Sequence, residues 1–219
     1  MWSSEVTEMI IRGIGESLYM TIGATVFGYL LGLPAGILLA VTDKDGIHPN
    51  AAVYKVLDVI VNILRSIPFL ILLILLIPFT RAIVGKSYGP TATIVPLVIA
   101  AAPFIARMVE SSLKEVDAGV VEAARSMGAD NFTIITKVLL VEARTSLVVG
   151  STIALGTILG YSAMAGSVGG GGLGDIAIRY GYHRYETDIM AVTVILLIVL
   201  VQIFQTIGMR VASRLDKRK

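Results

Sequence analysis

The sequence predicts an all-α integral membrane protein, a single transmembrane domain over residues 1–219 with five transmembrane helices. Of its 219 residues, 55% are hydrophobic and 16% are charged, and the mean hydropathy is +0.82. Soluble domains carry about 25% charged residues. A membrane-spanning helix needs about 20 consecutive, mostly apolar residues, and several segments of this chain have that length and composition.

Four of the five predicted spans are mostly apolar. Two of them, residues 146–166 and 189–209, contain no proline. A third, residues 17–41, contains only Pro34. The fourth, residues 90–108, contains two prolines, which spans tolerate where neighbouring groups satisfy the freed carbonyls. We therefore expect each of these segments to cross the membrane once.

The first span also carries small residues at a regular spacing. Gly28, Gly32 and Gly36 recur at intervals of four, which forms two overlapping GxxxG patterns. This spacing places the glycines on one helix face, where a second helix can approach closely. We expect that face to pack against another span.

The remaining span, residues 57–80, is less regular. Its uncharged part, residues 66–80, would form about 22 Å of helix, which is too short to cross alone. Extending the helix back to residue 57 places Asn62 and Arg65 near one face of the membrane, where an arginine can extend to the interface. We predict a structural role for Arg65, paired with Asp58 or with a loop carbonyl; a direct role in transport is the alternative.

The basic residues predict the orientation of the five spans. If the C-terminus is inside, the inner segments hold 13 of the 18 lysines and arginines, including Lys217, Arg218 and Lys219. Because inner loops are enriched in these residues, the N-terminus is predicted outside and the C-terminus inside. The formal net charge of +2 then reflects membrane topology and does not indicate a nucleic-acid site.

Catalytic and metal sites are not predicted. The chain contains no cysteine, which excludes disulfides, thiolate metal sites and cysteine nucleophiles. His48 and His183 are far apart in sequence and lack a nearby carboxylate cluster. The central parts of the spans carry no Asp, Glu or His, which argues against a proton-coupled carrier or a membrane hydrolase. The N-terminus does not resemble a cleaved signal peptide, so the first span is expected to be permanent.

Residues 107–144, here called the polar segment, stand out between two spans. Residues 117–127 have helical character, and Gly128 is placed to end that helix in the left-handed conformation. Asp130 is a suitable N-cap for a second helix of about 13 residues, in which apolar side chains recur at helical spacing: Ile134, Ile135, Val138 and Leu139. The segment is thus predicted to form a compact helix–turn–helix.

The first helix of the polar segment offers a possible contact surface. Ala123 and Ala124 are small enough to lie against the wall of a partner, and Glu122 can accept a charge-assisted hydrogen bond. Met127 follows at the end of the same helix. From these residues alone, an ordinary helical surface loop is the alternative.

The full spacing of the polar segment resembles the cytoplasmic loop of bacterial type I ABC-importer permeases. The pattern is Glu-Ala-Ala, three residues, Gly, nine residues, an aliphatic residue, any residue and Leu, and it falls here on Glu122, Ala123, Ala124, Gly128, Val138 and Leu140. Val138 replaces the usual isoleucine, and Val141 stands where the family usually has proline. The resemblance implies a type I ABC-importer permease fold in which this loop is a coupling helix that docks on an ATPase, with Glu122, Ala123, Ala124, Met127 and Gly128 as coupling residues.

Further stretches resemble the methionine-importer permeases within that family. They are residues 62–69, 102–110 and 160–166 and the glycine-rich run 169–174, so the similarity covers nearly the whole chain. The resemblance implies import of methionine, L- and possibly D-, although no residue chemistry selects it. The alternatives are another amino acid or small solute on the same architecture and, from a different class, a passive channel or a membrane enzyme.

The same resemblance implies a set of partners and a location. The chain would be a non-catalytic permease subunit that holds no cofactor, while two copies of a separate ATPase subunit bind ATP and Mg. A second copy of the chain would complete the translocation path. An extracellular or periplasmic methionine-binding protein would deliver the solute, and membrane lipid would surround the spans in the bacterial cytoplasmic (inner) membrane.

The outer end of the fourth span provides candidates for the path. Tyr161, Ser162 and Met164 are predicted to line the path or form a gate, with simple filling of the bundle as the alternative. Residues 166–174 contain six glycines and are expected to fold tightly at the outer mouth, with a flexible turn as the alternative. A binding protein could dock on the polar and aromatic residues that follow: Asp175, Arg179, Tyr180, Tyr182, His183 and Arg184.

Overall fold

A computed structural model describes residues 4–216 of the chain. These residues form helices and connecting turns and contain no β-strand. Lys217, Arg218 and Lys219, which were counted for the predicted orientation, lie outside the described residues, as do the first three residues of the predicted non-cleaved N-terminus.

Eleven α-helices occur in the described part of the chain. They are α1 (Ser4–Thr42), α2 (Ala51–Ser66), α3 (Phe69–Leu75), α4 (Ile77–Val84), α5 (Pro90–Lys114), α6 (Ala118–Ser126), α7 (Asn131–Thr133), α8 (Leu140–Glu142), α9 (Arg144–Ala165), α10 (Gly172–Ile176) and α11 (Thr187–Leu215). Two π-helical segments, Ile134–Leu139 and Ala177–Tyr182, and one 3-10 turn, Gly166–Val168, connect some of them.

The helices agree with the predicted membrane protein. Four of them, α1, α5, α9 (which continues to Val168) and α11, are long and apolar enough to span a bilayer. The pair α2 and α3 meets the same criterion together, although the two helices are bent by 100°. Counting that pair as one broken span gives five spans among the described residues, which confirms the predicted fold class.

The prediction of one continuous helix over residues 57–80 is wrong. Ile67 has φ −81° and ψ 123° and ends α2. It precedes Pro68, whose ring disfavours helical backbone at the preceding residue. A second interruption at Leu76 separates α3 from α4. Residues 57–80 therefore run through three helices.

The close packing expected from the glycine spacing in the first span is confirmed. A Cβ atom on Gly32 would lie 2.6 Å from the backbone oxygen of Ala102, and one on Gly36 would lie 2.5 Å from that of Ala106. The glycines thus let α1 lie directly against the backbone of α5. This helix pair forms the centre of the bundle, with Met20, Leu97 and Ile105 fully buried nearby.

Residues 166–174, here called the glycine-rich turn, fold tightly as predicted. The backbone N–H groups of Gly172 and Leu173 donate to the Glu16 carboxylate at 2.8 Å and to the Ser17 hydroxyl at 2.9 Å. On the other side of the turn, the N–H of Gly89 donates to the Gly169 carbonyl at 2.9 Å. The turn is therefore fixed between α1 and the start of α5.

Candidate functional site

The helix–turn–helix of the polar segment forms as its sequence predicts. Asp117 caps α6 by accepting from the N–H of Gly119 at 2.7 Å. Gly128 has φ +84°, so it occupies the left-handed region that glycine adopts without steric cost. Asp130 then caps the following helix by accepting from the N–H of Thr133 at 2.9 Å.

The Asp130 cap also changes the chemistry of its own side chain. Hydrogen bonds from Thr133, first from its side chain and then from its backbone, lower the pKa of the Asp130 carboxyl below its ordinary value. The carboxylate is therefore the favoured form at the start of the second helix, where the helix dipole also favours negative charge.

The second helix differs from an ordinary α-helix. Residues 131–142 are helical throughout, but Ile134–Leu139 are π-helical. Ile134 and Leu139 are nevertheless buried, so the apolar face predicted from the spacing packs on the core. A π-helical turn is often found at functional sites, and the pattern of apolar residues gives no signal for it.

The predicted coupling residues divide between the surface and the core. Glu122, Ala123, Met127 and Gly128 are exposed, Met127 by 82%. Ala124 is only 6% exposed and belongs to the main apolar core. The prediction that Ala124 lies against a partner is therefore wrong in this structure, because the side of α6 that carries it packs on the chain itself.

Two exposed apolar side chains beside these residues were missed. Phe132 is 72% exposed and Val120 is 41% exposed. Phe132 falls outside the apolar spacing that begins at Ile134, and this departure was an available signal. With Met127, they are exposed apolar residues that lie within ten positions of Glu122 in the sequence.

Helix α6 is also tied to the loop that follows α1. A guanidinium N–H of Arg125 donates to the backbone carbonyl of Ile47. Together with the burial of Ala124, this contact fixes α6 on the bundle, so the exposed surface is presented by a firmly held helix.

A group of polar side chains, here called the charge cluster, connects this end of the bundle. It comprises Asp43, Tyr54, Asp58, Asn62, Arg107, Glu110 and Lys114. Arg107 donates to Asp58 at 2.6 Å and to Glu110 at 2.6 Å. Lys114 contacts Asp43 at 2.8 Å, and the hydrogen bond from Lys114 lowers the pKa of the Asp43 carboxyl.

The predicted pairing of Arg65 with Asp58 is wrong. Asp58 binds Arg107 instead, which approaches from a different helix, α5. Arg65 is exposed, and its side chain has no hydrogen bond or ion pair with any of residues 4–216. Pairing across helices depends on how they pack, which the spacing within one helix does not reveal.

The three candidates for the path do not face a common space in this chain. Tyr161 stacks on Phe69 of α3 with ring centroids 4.6 Å apart and planes within 8°. The hydroxyl of Ser162 is buried and donates to the Leu159 carbonyl at 2.8 Å. Met164 is 55% exposed. The Phe69–Tyr161 stack joins α3 to α9.

The residues after the glycine-rich turn carry exposed polar and aromatic groups. Arg179 pairs with Asp175 at 2.5 Å, and the Arg184 guanidinium lies 4.5 Å from the ring centroid of Tyr180. Tyr182 is 64% exposed, with His183 against its edge. Among residues 4–216, no group of three or more His, Asp or Glu side chains is placed to hold a metal ion.

A broken five-span bundle that presents a firmly held helix at one end has the architecture of a transport permease subunit. Residues 32–219 match the family described as the binding-protein-dependent transport system inner membrane component. The chain belongs to this family, and it is therefore a multi-pass inner-membrane protein.

Named relatives cover the whole length of the chain. It is 51% identical over 217 residues to the "Probable D-methionine transport system permease protein MetI" of Vibrio cholerae serotype O1, covering 99% of this chain and 96% of the relative. It is 54% identical over 158 residues to the D-methionine transport system permease protein MetI of Escherichia coli K12, covering 72% and 73% of the two chains.

Solved structures show the same fold. A chain from inward-facing conformations of the MetNI methionine ABC transporter superposes with a TM-score of 0.97 at 49% identity, covering 99% of this chain and 100% of that one. An amino acid ABC transporter crystallised with histidines gives a TM-score of 0.78 at 22% identity, covering 96% and 95%. The second likeness concerns the fold alone.

Proposed function

We propose that this chain is the transmembrane subunit of an ATP-driven importer of methionine. The observation that carries the proposal is the match to the MetNI methionine transporter over 99% of the chain, supported by 51% identity to a D-methionine permease. The chain itself carries out no chemistry. Two copies form the translocation path, and two copies of a separate ATPase subunit bind ATP and Mg.

The exposed surface of α6 and the following turn is the docking site for the ATPase. Glu122 supplies a carboxylate for a charge-assisted hydrogen bond. Met127 and Phe132, 82% and 72% exposed, supply apolar anchors of the kind that dominate protein interfaces. Because α6 is fixed to the bundle, movement of the ATPase would be passed on to the spans and would not be absorbed by a loose loop.

Transport would follow from two conformations of the bundle whose populations the ATPase changes. In the proposed orientation, the N-terminus is outside, the C-terminus is inside and the polar segment lies in the cytoplasm. The methionine-binding protein would dock at the opposite end, near the glycine-rich turn and the residues 175–184. Of the gate candidates, Tyr161 and Met164 are proposed to contribute to the path, whereas the hydrogen bond of Ser162 to its own helix supports a packing role.

Uptake by proteoliposomes tests this proposal. The chain is reconstituted with its cognate ATPase and binding protein, and entry of radiolabelled L-methionine is measured with and without enclosed ATP. We expect ATP-dependent uptake that unlabelled L-methionine reduces strongly and that leucine or histidine leaves unchanged. D-methionine, added as a competitor, determines whether both stereoisomers are carried.

Other outcomes separate the parts of the proposal. Intact assembly with the ATPase but no methionine uptake would keep the importer and reject the substrate, leaving another amino acid or small solute. Uptake without ATP or the ATPase would indicate a passive channel and reject the coupled mechanism.

A further inference from the structure

We propose that Glu110 is the positioning residue that links the coupling helix α6 to α2, so that movement of the ATPase reaches the broken span. This inference rests on the proposed function. It assigns a role to the charge cluster that neither the sequence pattern nor the family match supplies.

Glu110 is the most deeply buried acid of the charge cluster. Its side chain is 3% exposed and accepts from three donors: Arg107 at 2.6 Å, Lys114 at 2.7 Å and the Tyr54 hydroxyl at 3.2 Å. A buried carboxylate is costly unless it is paired and hydrogen-bonded. The cluster therefore has one well-satisfied arrangement around this residue.

Arg107 extends the cluster from α5 to α2. The same guanidinium that binds Glu110 donates to Asp58 at 2.6 Å and to Asn62 at 2.9 Å. Asp58 and Asn62 lie one helical turn apart on one face of α2. Helix α2 is mostly exposed and Val61 is its one buried residue. These polar contacts add to the apolar packing of Val61 and Leu57 against Leu39 of α1 and Ala106 of α5.

Lys114 extends the cluster in the other direction, towards α6. It contacts Glu110 at 2.7 Å. It also contacts Asp43, which lies at the start of the loop that follows α1, at 2.8 Å. Further along that loop, the Ile47 carbonyl accepts from Arg125 of α6. Hydrogen bonds and ion pairs, joined by the loop backbone between Asp43 and Ile47, thus connect the coupling helix to α2.

Helix α2 in turn leads to the middle of the bundle. It meets α3 at the 100° bend, and Phe69 at the start of α3 stacks on Tyr161 of α9. A displacement of α2 is therefore in a position to change this stack.

The first measurement is the number of methionine molecules imported per ATP hydrolysed by the full complex. Each test variant removes one charge. We expect the ratio to fall about tenfold in Glu110→Gln and about threefold in Asp58→Asn, which is within the range of typical coupling between sites. Complex yield and basal hydrolysis should remain near wild type. The matched control is Glu115→Gln, at an exposed acid directly after the end of α5. It should keep the wild-type ratio.

The second measurement is independent of the substrate. Spin labels on cysteines at Ile60 of α2 and Val120 of α6, which are 49% and 41% exposed, report the distance between the two helices with and without ATP. In the wild-type background, which has no cysteine of its own, we expect the distance to stay constant because the helices move together. In Glu110→Gln it should change on addition of ATP.

The results separate this inference from the proposed function. Absence of wild-type methionine uptake would reject the proposed substrate, and the label distances would still decide the role of Glu110. The inference would be overturned if Glu110→Gln and Asp58→Asn imported as much methionine per ATP as the wild type. It would also be overturned if the label distances responded equally to ATP with and without the Glu110 charge. If Glu110→Gln does not assemble, Asp58→Asn, at a 30% exposed position, decides alone in both measurements.

Discussion

At the scale of single residues, Gly128 determines the direction in which the chain leaves α6, the proposed coupling helix. Its φ of +84° lies in the region that costs other L-residues roughly 1–2 kcal/mol. A Cβ atom there would have no neighbour within 4 Å. The requirement for glycine is therefore one of backbone conformation and not of space.

This distinction predicts different effects for two substitutions. Gly128→Ala should destabilise the turn by about 1 kcal/mol and weaken retention of the ATPase by about fivefold, because the turn no longer holds α6 and the second helix in place. Gly128→Asn should have a smaller effect, since asparagine tolerates the left-handed conformation better. Thermal unfolding and the amount of co-purified ATPase provide the measurement; equal losses in the two variants would contradict the account.

The sequence predicted the local features of the site better than its contacts. The left-handed Gly128 and the Asp130 cap depend on neighbouring residues, and both are confirmed. The burial of Ala124 and the pairing of Asp58 with Arg107 depend on which helices meet. A single sequence without a packing arrangement carries little information on such contacts.

At the scale of helices, the pair α1 and α5 shows how small residues determine a close contact. The approach at Gly32 and Gly36 follows from the four-residue spacing and was predictable. The division of residues 57–80 into three helices was less apparent, although Pro68 marks the first break. The hydropathy of that segment suits a span whether or not the helix is continuous, so composition alone could not reveal the bend.

The packing of α1 on α5 predicts opposite effects at two glycines of the same helix. Gly32→Ala would force a methyl group against the Ala102 backbone oxygen and should cost about 1–3 kcal/mol, as overpacking commonly does. At Gly15, a Cβ atom would meet nothing within 4 Å, so Gly15→Ala should be neutral or stabilising by about 0.5–1 kcal/mol. Thermal unfolding in detergent checks both, and a Gly32→Ala chain as stable as wild type would refute the proposed contact.

At the scale of the whole molecule, two surfaces lie far apart along the chain. One carries Met127 and the coupling helix, and the other carries Tyr185 after the glycine-rich turn. The distribution of lysine and arginine predicts that they lie on opposite sides of the membrane. The fold class and family followed from hydropathy and one loop pattern, whereas the substrate rests on relatives because no side chain of the spans identifies methionine.

Cysteine labelling tests the proposed orientation. Met127→Cys and Tyr185→Cys place single thiols at positions that are 82% and 85% exposed in a chain with no other cysteine. In spheroplasts or right-side-out vesicles, a membrane-impermeant maleimide should label Tyr185→Cys at once and Met127→Cys after the membrane is opened. The reverse order would invert the predicted topology.

Co-purification shows whether the exposed surface at Glu122 receives the ATPase. Tagged Glu122→Lys and Glu142→Lys chains are expressed with the cognate ATPase; both residues are exposed acids of the polar segment, and Glu142 lies outside α6. We expect both chains to insert and purify, Glu142→Lys to retain the ATPase and Glu122→Lys to lose it. Equal retention of the ATPase by Glu122→Lys and wild type would contradict the assignment of this surface as the docking site.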